Sequence, residues 1–422
     1  GTFQFDQDYL NDINETGMTE LANNFVNFVN STSDAHMIEF SSSEKEFIRE
    51  VLEDFSDVSG IQFYEVNDNN YNVYGDIRFV LQDFTYWQNF DYETYTAGGF
   101  AYSPWGDSAS NEWVLSGDIF LDAKYEPYDG YFETTVAHEI GHALGLSHPF
   151  DGYNIIGTSA DSLDNSYTVM TYDGVPNLLG INPMPMDIMA MEFLYGGSDQ
   201  ANIGNNTYTL DAELFDVMSN SWTTANGYSY NQDARMSIVD DDGADTLDAS
   251  GIENGIFINL APGSWSNLTD VAPYLLTSDS LNSLQIASSF DSSYVTTVAS
   301  DNEILNFGQV YIESETFIEG CDLTPYNDII FDNSSNNIIK CSGGDDLISL
   351  SFGNDQIFGG SGSDEVSIFG NSGDYSKTVS GIGVELKNIN ASSENYSQTI
   401  YLEDVEFVSF YGGRAETVYG LA

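Results

Sequence analysis

The run His138-Glu139-Ile140-Gly141-His142-Ala143-Leu144-Gly145-Leu146-Ser147-His148 has the form HExxHxxGxxH and holds three of the four histidines in the chain. On a helix, His138 and His142 project from the same face one turn apart, as two ligands of one tetrahedral Zn2+ require. Glu139 lies beside them, placed to reach a water on the metal rather than the metal itself. Gly145 permits a positive-φ turn that stops the helix and swings His148 back as third ligand. The fourth position stays open, which marks a catalytic rather than a structural zinc. Zinc there acidifies water and polarises a carbonyl, while Glu139 takes the water's proton and delivers it to a leaving amine. That chemistry is peptide-bond hydrolysis. The fourth histidine, His36 in STSDAHMIEF, has no partner at ligand spacing and reads as a solvated residue.

The elements that must position these groups are legible around them. Residues 44–56, EKEFIREVLEDFS, set Phe47, Ile48, Val51, Leu52 and Phe55 on one stripe at helical spacing. Short β-rich runs bounded by turn residues follow at 61–66, 76–84, 99–105 and 116–122. Helical character returns at 132–146 and 186–195, so residues 1–195 read as an α/β unit. Residues 196–422 lose the helical pattern and read as all-β and turn-dense. Within them, Gly344-x-Asp346-x-Ile348, Gly353-x-Asp355-x-Ile357 and Gly362-x-Asp364-x-Val366 recur with a period of nine. Two weaker turns, Tyr326-x-Asp328-x-Ile330 and Ser335-x-Asn337-x-Ile339, precede them in the same register.

Composition excludes other classes. The 422 residues carry 67 acidic and 9 basic side chains, a net charge of −58, which leaves no basic face for nucleic acid and no polybasic membrane anchor. With 41% hydrophobic and 14% aromatic residues, the chain can still bury real cores. No stretch approaches the roughly 18 apolar residues of a membrane-spanning helix, so no membrane insertion is expected. Cys321 and Cys341 either form one bridge or sit as two unrelated buried thiols. The start at Gly1, without a signal peptide, reads as a mature or trimmed product.

The extended zinc motif resembles that of the metzincin metalloproteases, and the resemblance continues along the chain. Ser166-Tyr167-Thr168-Val169-Met170-Thr171-Tyr172 resembles the Met-turn of that family, which makes Met170 an apolar floor beneath the zinc. The resemblance also makes Tyr172 a zinc ligand that swings away to stabilise the tetrahedral intermediate, as in the serralysin and astacin branches. Pro149 after the third histidine is the serralysin choice, and 186–197 looks like the last helix of the catalytic domain. Gly99, Phe100, Ala101 and Tyr102 resemble the edge strand over the cleft, where an extended peptide pairs by main-chain hydrogen bonds.

The nine-residue period resembles the RTX parallel β-roll, whose repeat GGxGxDxUx binds Ca2+. The resemblance implies Asp346, Asp355 and Asp364 as ligands, with Gly343, Gly344, Gly353, Gly360 and Gly362 as turn and carbonyl positions. Two repeats make one coil, so residues 18 apart stack. The cluster Asp240-Asp241-Asp242-Gly243-Ala244-Asp245 resembles the calcium loop that opens the serralysin C-terminal domain, with Asp240, Asp242, Gly243 and Asp245 as calcium positions. Tyr326, Ser335 and Asn337 depart from the repeat, so a short roll with fewer or weaker calcium sites is expected there.

The implied protein is a secreted, extracellular, monomeric zinc endopeptidase with one Zn2+ and several structural Ca2+. Its partners are protein or peptide substrates and, as in the family, a proteinaceous inhibitor. Export resembles the bacterial type I route, although ETVYGLA at the end lacks the hydrophobic secretion motif expected there. The rival is a binding module whose protease-like half has lost activity; Glu139, three intact histidines and Tyr172 stand against it.

Overall fold

Among the described residues, Ser41 begins the first helix, α1 (Ser42–Ser59), with a reciprocal cap: its Oγ accepts from Glu44 N at 3.2 Å, and Glu44 Oε2 accepts from Ser41 N at 2.5 Å. The predicted stripe is the buried face, with Ile48, Val51, Leu52, Phe55 and Val58 inside and Phe47 partly covered against Phe132. Gly60, at φ 71°, ends the helix and donates its N–H to Ser56 O at 2.8 Å. A side chain there would also strike Gly197 O, 2.7 Å from a Cβ.

The computed structural model describes residues 2–5, 37–66, 75–84, 98–104, 116–124, 131–150, 165, 167–172, 178–198, 200–210, 222–223, 229–230, 233–268, 309–411 and 419–420. His36 lies outside them. Chain contacts divide the protein into two compact units, Gly1–Asp199 with Val217–Met236, and Gln200–Asp216 with Ser237–Ala422. The second unit therefore starts at Gln200, and residues 217–236 return to the first.

In the first unit, strands β1 (Thr2–Phe5), β2 (Met37–Ile38), β3 (Tyr64–Glu65), β4 (Ile77–Gln82), β5 (Gly99–Ala101) and β6 (Ile119–Asp122) share one sheet. The order is β3-β1-β4-β6-β5, with β2 also paired to β4. β3, β1, β4 and β6 run parallel, whereas β5 lies antiparallel to β6 with Phe100 opposite Phe120. β4 and β6 are buried along their whole length, as strands of a covered parallel sheet must be. The buried Arg78 guanidinium grips Asp118 at the entry to β6 with two hydrogen bonds of 2.7 and 2.6 Å. Helix α2 (Tyr131–Ala143) packs on β5 and β6, and α3 (Pro185–Tyr195) packs on α1. Between these helices, β7 (Leu178–Gly180) pairs in parallel with the strand Asp233–Ile238.

The second unit is a coil that alternates between two parallel sheets. Strands beginning at Gly320, Ile329, Ile338, Leu347, Gln356 and Glu365 step by nine residues, and each pairs with the strand 18 residues away in its own sheet. Leu247, Cys321, Ile339, Ile357 and Leu402 stack in register along one sheet, and Ile258, Ile330, Ile348, Val366 and Val408 along the other. All ten are buried. The coil is not short at 326–339: Ile330 and Ile339 keep their ladder places although their turns lack glycine. A parallel ladder needs backbone groups and an apolar centre, and the turn residues do not enter either requirement. The coil also extends back beyond the recognisable repeats, since Thr207–Thr209 pairs with Thr246–Asp248 in the first of these sheets. Cys321 occupies an apolar ladder position, and both thiols are free and buried.

Candidate metal centre

Helix α2 carries His138, Glu139 and His142 and closes with Leu146 N–H on Gly141 O (2.9 Å) and Gly145 N–H on His142 O (3.0 Å). That paired closure requires a left-handed residue at Gly145, which has φ 101°. The chain then turns so that His148 Nε2 stands 3.2 Å from His138 Nε2 and 3.1 Å from His142 Nε2. Tetrahedral ligands at about 2.05 Å from zinc are separated by about 3.3 Å, so the three nitrogens fit one ion. They form the one cluster of three or more histidine, cysteine or acidic side chains with metal-ligating geometry among the described residues.

The opposite ring nitrogens set the tautomers. His138 Nδ1–H donates to Val169 O at 2.7 Å and His142 Nδ1–H to Leu146 O at 2.9 Å, which leaves each Nε2 lone pair directed at the metal position. Burial, with His142 and His148 nearby, holds the His138 imidazole at about 3, so it is neutral as a ligand must be. Glu139 is buried, its Oε2 has no hydrogen-bond partner, and burial pushes its carboxyl up to about 8. A divalent cation next to it would favour the ionised, proton-accepting form.

The floor and wall of the site are close-fitted. A Cβ on Gly141 would sit 2.5 Å from Met170 Sδ, so the helix accepts Met170 beneath it because residue 141 has no side chain. On the other side, a Cβ on Gly99 would lie 2.9 Å from Phe120 O and Thr135 Cγ2 and 3.0 Å from Glu139 Cγ. β5 thus runs directly over the helix that carries Glu139, at the end of the sheet order, with Phe100 stacked on Phe120 at 4.6 Å. Tyr102 lies just past β5 and is held by its N–H on Asp118 O at 3.0 Å. Tyr172 is 71% exposed, and its ring stands 5.5 Å from that of His138 and 4.7 Å from that of His148. Phe150 stacks on His148 at 4.7 Å.

Two residues here escaped the sequence reading. Asp187, fully inside α3's first turn, accepts from Val169 N (2.7 Å), Met184 N (3.0 Å) and Thr168 Oγ1 (2.5 Å), which holds the Met170 turn and, through Val169 O, His138. An acid three residues after the cap was the available signal. Tyr195 Oη donates to Leu144 O at 2.6 Å, tying the end of α3 to the end of α2; nothing local marks it.

In the second unit, Asp346, Asp355 and Asp364 are buried at the ends of their turns, and each Oδ1 accepts the N–H of the residue 18 positions earlier, at 2.8, 3.0 and 3.0 Å. The Oδ2 of all three is buried without a partner. Gly344, Gly353, Gly360 and Gly362 have positive φ, and a Cβ on Gly362 would fall 1.7 Å from Gly344 O in the coil below. Gly343 bridges to Ser361 in the next turn. Asp240 and Asp245 are the buried ends of one turn whose middle, Asp242 and Gly243 included, is exposed, and Asp240 Oδ2 accepts from Tyr208 Oη at 2.5 Å. Asn206 N–H donates to Asp245 Oδ1 at 2.7 Å, so residues 201–206 form an earlier turn of the same kind.

The matrixin family profile matches residues 25–175. Serralysin from Proteus mirabilis is 30% identical over 54% of this chain and 49% of its own. Metallopeptidase AprA from Pseudomonas marginalis is 27% identical over 61% and 55%, and serralysin B from Dickeya chrysanthemi 28% over 59% and 52%. The chain matches about half the length of these curated relatives. A solved structure, the extracellular lipase LipA from Serratia marcescens, aligns over 56% of this chain and 47% of that one at 11% identity and a TM-score of 0.23, and has no bearing on the fold. The first unit carries a metzincin-type domain. Within that class, the chain is serralysin-like.

Proposed function

We propose that this protein is a secreted zinc endopeptidase whose second unit is a calcium-binding RTX β-roll. The observation that carries the enzymatic reading is the convergence of three Nε2 atoms at 3.1–3.2 Å beside a buried carboxylate with an unpartnered oxygen. Zinc held by His138, His142 and His148 would acidify a water and polarise the scissile carbonyl. Glu139 takes the water's proton and passes it to the leaving amine, since its buried Oε2 has no competing donor. β5 receives an extended peptide of a protein substrate by edge pairing, with Gly99, Phe100, Ala101 and Tyr102 along it. The Tyr172 hydroxyl donates to the oxyanion from the exposed side of the histidines, while Met170 supports the histidines from below.

Calcium in the second unit is supported by the buried, unpartnered Oδ2 atoms of Asp346, Asp355 and Asp364, an arrangement that suits a hard cation with oxygen ligands. Binding there couples to folding of the coil, consistent with export unfolded from a low-calcium cytoplasm and folding outside. No helix among the described residues is long and apolar enough to cross a membrane.

Casein cleavage by wild type and Glu139→Ala tests the enzymatic reading. The variant should keep its zinc and lose turnover by a factor of about 10²–10⁴, the usual share of a general base. Equal rates in the two proteins would refute it.

A further inference from the structure

The turn 332–337 carries Asn337 where the stacked turns end in aspartate, and it begins with Asp332, which the nine-residue repeat does not call for. Asp332 is 4% exposed and Asn337 is fully buried. Asp332 Oδ1 accepts from Ser351 N at 2.6 Å, and its Oδ2 has no partner. Asn337 spends its amide hydrogens on Ile318 O (3.0 Å) and Glu319 O (3.5 Å), which leaves Oδ1 unpartnered. In the next coil, Asp355 Oδ1 accepts from Asn337 N at 3.0 Å, and its Oδ2 is a third unpartnered oxygen. Gln398 also acts on the Asp355 carboxyl as a side-chain hydrogen-bond donor, but its Nε2 donates to Ser351 O at 3.1 Å and Asp355 Oδ2 keeps no partner within hydrogen-bond geometry.

Three buried acceptors without donors, two of them carboxylates that act on each other, are unstable as a set unless a cation joins them. The charged group acting on Asp332 is Asp355, and no basic side chain among the described residues offsets the pair. Burial and Asp355 raise the Asp332 carboxyl well above its usual range, in keeping with an uncompensated charge. We propose that Asp332 Oδ2, Asn337 Oδ1 and Asp355 Oδ2 together hold a hard divalent cation, calcium, with Asp332 supplying the negative charge that Asn337 lacks. The weak repeat is thereby repaired from the opposite end of its own turn, instead of losing its ion. This rests on the calcium reading of the coil and adds a side-chain ligand at a position where the repeat offers glycine.

The test measures calcium bound per chain, and its affinity, in the full protein. Wild type is compared with Asp332→Asn, Asn337→Asp, the double variant D332N/N337D, and Asp346→Asn on the other stack of turns. D332N should weaken one ion by about tenfold or more, because calcium affinity follows carboxylate count, while the double variant restores it. N337D alone adds a carboxylate to an intact site and should tighten that ion by about tenfold. D346N should affect a different ion. If D332N binds calcium as wild type does while D346N loses an ion, Asp332 is no ligand and the proposal is overturned, whatever N337D does. A double variant as weak as D332N assigns Asp332 a purely structural role and also overturns it. If wild type binds no calcium at all, the reading of the whole coil fails first. Should D332N alone not fold, comparing N337D with the double variant still decides the matter, because removing Asp332 from N337D should weaken that ion by about tenfold and an unchanged affinity overturns the proposal.

Discussion

Asp187→Ala removes the acceptor shared by Val169 N–H, Met184 N–H and the Thr168 hydroxyl, all of them buried. A buried donor left unmatched costs about 1–3 kcal/mol. The Thr168 hydroxyl can turn elsewhere and the vacated space can admit water, so about 3 kcal/mol is the reasonable total. For a unit of this size that lowers Tm by about 6–12 °C. The second effect is on zinc. Val169 O accepts the Nδ1–H of His138 at 2.7 Å, and once the turn loosens that ring is no longer held in its ligand orientation. Loss of such an outer partner typically weakens metal affinity by about 10–100-fold. Asp187→Asn should be far milder, since its amide oxygen still serves the two N–H groups and Thr168 Oγ1 can accept the amide hydrogen. Zinc affinity is read by competition with a chromophoric chelator and stability by thermal melting, on all three proteins. A D187A protein that melts early yet binds zinc as tightly as wild type would refute the proposed line of support from Asp187 through Val169 to His138.

Gly362→Ala places a Cβ 1.7 Å from Gly344 O at φ 145°, and a backbone carbonyl in a stacked coil cannot move aside cheaply. It should cost at least about 4 kcal/mol, whereas Gly373→Ala, with nothing within 4 Å of the added atom, should stay within about 0.5 kcal/mol; calcium-saturated melts of both variants check this. Asp54 on α1 has its carboxyl raised by burial and by Asp57, Glu50 and Glu53. A raised folded-state value means the charged form opposes folding, so the penalty is full above that value and gone below the unfolded value of about 3.9. Asp54→Asn should therefore raise Tm at pH 8 and match wild type near pH 3; a difference that persists in acid would point to packing instead.

The metal centre was legible because its ligands lie within one helix and the turn after it. The i, i+4 spacing and the helix-ending glycine fix where His138, His142 and His148 can meet, whatever surrounds them. The nine-residue period was legible for a similar reason, since each turn and strand repeats one local conformation. The period fades where the chain inserts long segments between coils, as between Asp248 and Gly320, although those two strands are in register. That is why the turn at 201–206 and the full extent of the coil were not visible in the residues.

By itself, the sequence determined the zinc ligands, the carboxylate beside them, and a turn-rich domain built from a stacked repeat. Tertiary structure alone decided that Asp187 supports the Met170 turn, that Cys321 fills an apolar ladder place instead of joining Cys341, and that Asp332 and Asn337 face Asp355 across successive coils. The physical reason is the range of the interactions. Ligand spacing on a helix is dictated by backbone geometry over four residues, but an unpartnered buried oxygen exists only once the coil has closed over it and excluded water.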